Sequence, residues 1–295
     1  MSYIDVLSNY HLQRRKKKYA EKGAVIRGIG IHSVCHDVLL PVIKLLRKLR
    51  KQKLIILGDK RNSRKNKIVY AITHIGGNDV EITFEAVKSP AWLFLGDPRE
   101  LYCNLDGMML FLNGAICIET RDKEDRQIAK AHAIELLKKG GNLIIYPEGA
   151  WNLSENLLLQ PLYSGTLEVA KESGAEVVPV AIEKYEDTYY ANIGANIDVS
   201  QMDLSDKAVA TNILRDTMAT LKWEILEHVG MVSRESIPPN YSNTFVNEIM
   251  NIKEISYSIK DINEGVYRPK GVVTPEEAFG PIRALDVWGN KIKIR

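Results

Sequence analysis

The stretch Thr73-His74-Ile75-Gly76-Gly77-Asn78-Asp79 holds one of the chain's six histidines, two adjacent glycines, and an aspartate five positions after the histidine. Histidine exchanges a proton near neutral pH, which suits it to take one from a hydroxyl group. A carboxylate on its other ring nitrogen fixes the tautomer and steadies the imidazolium that forms. Asp79 can do this only if Gly76 and Gly77 turn the chain back. Glycine reaches positive φ freely and lets a substrate come close. Two further polar motifs could bind a substrate. Arg121 and Arg126 follow the apolar run Ala115-Ile116-Cys117-Ile118, and either guanidinium suits a phosphate. Tyr146-Pro147-Glu148-Gly149 reads as a turn at a strand end. There Glu148 could accept hydrogen bonds from substrate hydroxyls or hold an arginine.

These residues need a frame. Short apolar runs predict strands over residues 53–59, 67–74, 91–97, 115–120, 142–149 and 175–185. Helical periodicity predicts helices over 79–88, 99–112, 123–141, 164–174 and 204–230. β-Branched strands alternating with helices predict an α/β fold, a mostly parallel central sheet covered by helices. In such sheets ligands collect beyond the C-terminal ends of strands. All three polar motifs fall at such ends.

The net charge of +3 hides an asymmetry. Residues 1–67 carry 18 Lys/Arg against 4 Asp/Glu, and the remaining 228 carry 22 against 33. A basic segment on an acidic body implies an anionic partner, either lipid or nucleic acid. Residues 1–30, with Arg14 to Lys18, read as a loose basic lead-in. Residues 41–53 predict an amphipathic helix, with Pro41 in its first turn and Val42, Ile43, Leu45, Leu46 and Leu49 on one face. Such a helix suits an anionic membrane surface, as could the basic run over 60–67. Few aromatics interleave the basic residues, so no nucleic acid is expected. No uninterrupted apolar run reaches the roughly 20 residues of a membrane span. No signal peptide is expected. The three cysteines show no metal-ligand spacing and read as small packed residues of a reducing compartment. The expected location is cytoplasmic, peripheral on the inner face of the cell membrane. The expected organisation is a basic lead-in and helix over 1–52, a catalytic domain over 53–230, and a C-terminal extension over 231–295.

In order and spacing the motifs resemble the glycerolipid acyltransferase family. His74 to Asp79 resembles its H-x-x-x-x-D block, and Gly114 to Arg121 its second block with one extra residue before the arginine. Tyr146 to Trp151 resembles the third block, with Ala150 and Trp151 where the family often has Thr and Arg. Val177 to Ile182, with Pro179, resembles the fourth. The resemblance covers about residues 50–200. It implies an O-acyltransferase of phospholipid biosynthesis that uses acyl-CoA or acyl-carrier protein as donor. Its acceptor would be lysophospholipid-like, foremost 1-acylglycerol-3-phosphate. His74 and Asp79 would be the catalytic pair. Arg121, with Arg126 as its rival, and Glu148, Gly149, Gly114 and Pro147 would bind substrate. The resemblance implies no metal and no organic cofactor.

Overall fold

The computed structural model describes residues 2–62, 66–154, 157–230, 232–251 and 258–267. Part of the basic run over 60–67 and the whole of the chain after 267 lie outside the described residues.

Two helices precede the sheet: α1 (Tyr3–Lys22) and α2 (Ile29–Leu49). Then follow β1 (Lys53–Asp59), β2 (Ile68–Ile72), α3 (Asp79–Val87), β3 (Trp92–Gly96), α4 (Leu105–Asn113), β4 (Ala115–Ile118), α5 (Lys123–Lys138) and β5 (Leu143–Ile145). The chain continues through α6 (Gly165–Ser173), β6 (Glu176–Tyr185), β7 (Thr188–Ile193), β8 (Ile197–Asp198), α7 (Lys207–Val229), α8 (Tyr241–Asn251) and α9 (Ile259–Gly265). The strands form one sheet in the order β1-β7-β6-β2-β5-β3-β4, with β8 beside β6. The pairs β1–β7, β7's sequence neighbour aside, and β2–β6, β2–β5, β5–β3 and β3–β4 are parallel. This is the mostly parallel, helix-covered sheet expected.

Burial on both faces explains the texture of the central strands. Every residue of β2 is buried. Val69 and Ala71 pack into one core with Leu136, Leu143 and Leu167, while Ile68, Tyr70 and Ile72 pack into another with Ile82, Phe84 and Val180. A strand covered twice is apolar throughout instead of alternating.

The structure departs from expectation in the two helices that precede the sheet. Residues 1–30 are no loose lead-in. Ser2 and Asp5 form a reciprocal capping box that opens α1. No residue of α1 is buried, so it lacks the apolar stripe that periodicity detects. Ion pairs hold it instead. Arg15 grips Asp125 of α5 through Nε (3.0 Å) and Nη2 (2.7 Å), and Lys16 meets Asp122 at 2.6 Å. Arg14, Lys17 and Lys18 stay exposed.

The second helix starts at Ile29, twelve residues before Pro41. Pro41 therefore stands inside it and removes one backbone donor. Its apolar residues do not share one face. Leu39, Ile43 and Leu46 line an internal cavity, while Val42, Leu45 and Leu49 are exposed. By length and composition α2 is long and apolar enough to cross a membrane, and little of it is buried. The few charges within it hid this from a search for uninterrupted runs.

Two smaller differences have local causes. The segment 99–112 splits into a 3-10 turn (Arg99–Tyr102) and α4, because the Asn104 side chain accepts from Gly107 N (2.8 Å) and starts a new helix. After β6 the chain reverses through Glu186, at φ 50°, into the unexpected antiparallel strand β7. The cysteines are less packed than expected: Cys103 is exposed, and Cys35 and Cys117 are half-buried.

Candidate active site

The site grows from the end of β2. Thr73 fastens that end to β6, its hydroxyl accepting from Ile182 N (2.8 Å) and donating to Ile182 O (3.1 Å). His74 follows. Gly76 and Gly77 both take positive φ, 82° and 62°. The resulting turn brings Asp79, the first residue of α3, back to the histidine. Asp79 Oδ2 accepts from His74 Nδ1 at 2.7 Å and from Gly76 N at 2.9 Å. A carboxylate only accepts, so Nδ1 carries the proton and Nε2 is left with a lone pair. Side chains cannot replace the Gly76 hydrogen cheaply: a Cβ there would stand 2.8 Å from Ile249 and 2.9 Å from Trp151.

The remaining atoms of His74 are also held. Its N donates to Glu148 Oε1 at 2.9 Å, and its O accepts from Asn152 N at 2.7 Å. The Tyr146 ring stacks on the imidazole, centroids 4.1 Å apart, and the Tyr146 hydroxyl meets Thr83 Oγ1 at 3.1 Å. Trp151 stands edge-on at 6.3 Å.

Glu148 is placed differently from the expectation that it binds substrate. It is 0 % exposed. Its second oxygen accepts from Gln160 N at 2.9 Å, so both oxygens serve backbone amides. The carboxylate joins the β2 end to the loop after β5 and does not line the cavity. Burial pushes its pKa up, opposed by the charge of Lys222 and by the Gln160 and His74 amides. Lys222, from α7, is buried as well and donates to Leu158 O (2.8 Å) and Glu183 Oε1 (2.5 Å). Burial works against its charge, yet Glu183 and Glu148 raise its pKa above the ordinary value.

His74 opens into a cavity of about 330 Å³. Leu39, Ile43, Leu46, Phe84, Leu95 and Met109 give it an apolar lining. Arg99, Glu119, Arg121 and Asp261 also line it. Of the two arginines expected to compete, Arg121 lines this cavity. Arg126 does not; it lies exposed on α5 and donates to Thr120 O at 2.6 Å. Gly149 lines it too, at φ 72°. Gly114 sits at the opposite, N-terminal end of β4, where it ends α4 and lies against Trp92. It is a packing glycine, contrary to its expected binding role. Pro147 is buried behind the site, its O accepting from Tyr163 N at 2.8 Å. It too does not line the cavity.

Three contributors escaped the sequence. Arg99 follows β3 and so obeys the strand-end rule that found the other motifs. Tyr146 occupies the third block, but nothing there says that it stacks on His74. Lys222 stands beside the buried residues Met218, Leu221 and Ile225, where a solvated lysine would be out of place.

Comparison with known proteins supports the fold. Residues 53–183 match the family model described as Acyltransferase. A 1-acyl-sn-glycerol-3-phosphate acyltransferase from Borreliella burgdorferi is 23% identical over 176 residues, covering 56% of this chain and 69% of that protein. The fold matches the crystal structure of the 1-acyl-sn-glycerophosphate (LPA) acyltransferase PlsC from Thermotoga maritima, with TM-score 0.53 at 16% identity. That match covers 79% of this chain and 92% of the other.

Proposed function

We propose, from the match of residues 53–183 to the Acyltransferase family model, that the protein moves a fatty acyl group from an acyl thioester to a hydroxyl of a lysophospholipid-like acceptor. The donor is acyl-CoA or acyl-carrier protein, and the foremost acceptor is 1-acylglycerol-3-phosphate. The observation that most supports this is the His74–Asp79 pair, Nδ1 to Oδ2 2.7 Å, facing a cavity lined by apolar side chains and by Arg99 and Arg121.

The reaction proceeds in two proton-coupled steps. His74 Nε2 takes the proton of the acceptor hydroxyl as its oxygen attacks the thioester carbonyl carbon. The tetrahedral intermediate collapses, the C–S bond breaks, and the leaving thiolate takes the proton from the imidazolium. Asp79 stabilises the transient imidazolium charge. Transfer is direct in this reading: the acyl group passes from the thioester sulfur to the acceptor oxygen without a covalent enzyme intermediate. Glu148 acts on this chemistry indirectly, by holding the His74 amide. Arg121 and Arg99 attract the phosphate, and the apolar lining accommodates an acyl chain. Purified protein given an acyl thioester and 1-acylglycerol-3-phosphate should release one free thiol per diacyl product. No thiol release above the no-acceptor control, with either donor, overturns the reading.

The protein works at the cytoplasmic surface of a membrane in this reading. Ile31 (71 % exposed), Val34, Val38, Val42, Leu45 and Leu49 form an outward apolar stripe along α2. Leu105, Met108 and Leu112 of the neighbouring α4 extend it. Arg14, Lys17 and Lys18 supply exposed positive charge for anionic headgroups. The stripe lies on the outer side of the helix whose inner side lines the cavity, which shortens the path of a lipid from bilayer to His74. Replacing Val38 and Leu45 with aspartate should lower partitioning onto anionic vesicles on the order of a hundredfold, at about 1.5 kcal/mol per apolar side chain. Unchanged sedimentation with vesicles would refute the docking face.

A further inference from the structure

The helix α9 comes from outside the matched domain, yet it helps to wall the cavity. Asp261, Ile262 and Gly265 all line that cavity. Ile262 is buried, and Tyr163 donates its hydroxyl hydrogen to Gly265 O at 3.0 Å. The backbone of Gly265 lies so near the turn after β5 that a Cβ on Gly149 would stand 3.2 Å from Gly265 O. The acidic side chains of this helix meet the two cavity arginines. Glu264 pairs with Arg121, and Asp261 Oδ1 stands 3.4 Å from Arg99 Nη2. Each arginine is thus engaged by a carboxylate of the chain itself, at the place where an acceptor's anionic headgroup would bind.

We propose that α9 is a displaceable lid whose Asp261 and Glu264 compete with the acceptor's headgroup for Arg99 and Arg121, and so set the acceptor preference. This rests on the acyl-transfer reading only for the identity of the acceptor. The physical reason is charge and geometry. A phosphate monoester carries more negative charge and more acceptor oxygens than one carboxylate, so it outcompetes Glu264 for the guanidinium fork. A neutral headgroup cannot. The Arg121–Glu264 pair is also largely exposed, 68 % and 45 % at the two side chains, so it is weak enough to open. The lid would then respond to the phosphate itself. Glu264 and Asp261 would weaken binding of every anionic acceptor relative to neutral ones.

Two measurements on the full chain test this. The first is amide hydrogen exchange of residues 258–267 with 1-acylglycerol-3-phosphate or with monoacylglycerol. Exchange should accelerate with the phosphate lipid alone. The second is the ratio of KM values for the same two acceptors in Glu264→Gln and in the double variant with Asp261→Asn. The ratio should move about three- to fivefold in favour of the phosphate lipid, the size of a surface ion pair. Exchange that ignores the phosphate lipid, or a KM ratio equal to that of wild type, overturns the lid. If exchange responds while wild type transfers to neither acceptor, the lid stands and the acyl-transfer reading falls.

Discussion

His74→Ala is expected to lower kcat/KM for acyl transfer by about 10³-fold or more, while the protein remains folded. A positioned general base contributes roughly 10²–10⁴-fold. Here His74 is held at four points: Nδ1 by Asp79, the amide by Glu148, the carbonyl by Asn152, and the ring by Tyr146. Such fixing supplies orientation in addition to basicity. Asp79→Asn separates two parts of the effect. An asparagine oxygen can still accept from Nδ1 and Gly76 N, so the turn survives. The negative charge that stabilises the imidazolium is gone, and kcat should fall about 10²- to 10⁴-fold with little change in KM. Thiol release measured alongside thermal melts distinguishes lost chemistry from lost fold. Undiminished turnover in His74→Ala would remove the base assignment.

Lys222→Met should be the most damaging single change for stability outside the cavity, at about 3–5 kcal/mol. It removes the cation from a buried group of charges and leaves Glu183 and Glu148 with less compensation. Urea melts at two pH values test the mechanism as well as the size. Burial already raises the Glu148 pKa above its ordinary 4.5, and loss of Lys222 raises it further. A carboxyl whose folded pKa lies above the unfolded one contributes stability that is fully present below the unfolded value. That stability is lost as pH rises through the folded one. The deficit of Lys222→Met relative to wild type should therefore be larger at pH 7 and shrink as pH falls toward 4.5. A deficit independent of pH would mean that lost packing of the lysine stem, and no buried charge, carries the effect. Glu183→Gln added to Lys222→Met should recover part of the loss. Because Glu148 holds the His74 amide, the same variant links a helix beyond the matched domain to the proton-transfer pair.

The local pattern of the chain determined much of this. Apolar runs of strand length, helical stripes and glycine punctuation placed β2, α3, β4, α5 and α6 within a few residues. These signals are short-range, set by which side chains must leave water. His74 and Asp79 were legible for a similar reason, since five residues with two glycines can close only a tight turn. Helix α1 was illegible because ion pairs to α5 hold it, and charge carries no period. The outward face of α2 was misread because both of its sides are apolar, and sequence alone does not say which side the protein covers.

What only the tertiary structure decided is who stands next to whom. Along the chain, the block of Arg121 lies between those of His74 and Glu148. In the sheet, β5 inserts beside β2, with β3 and β4 beyond it. Glu148 therefore lands behind His74 as a buried backbone anchor, while Arg99 and Arg121 stand two and three strands away, roughly 10 and 14 Å at the usual strand spacing. Strand order depends on which crossover packs best over the whole sheet, and no window of sequence contains that. The same holds for Lys222 and α9, which reach the site from far along the chain. The residue types and spacing marked His74 and Asp79 as a candidate proton-transfer pair and Arg121 as a candidate anion-binding residue. Long-range packing decided that the anchor is hidden, that Arg126 and Gly114 lie away from the cavity, and that the chain's own carboxylates meet the arginines.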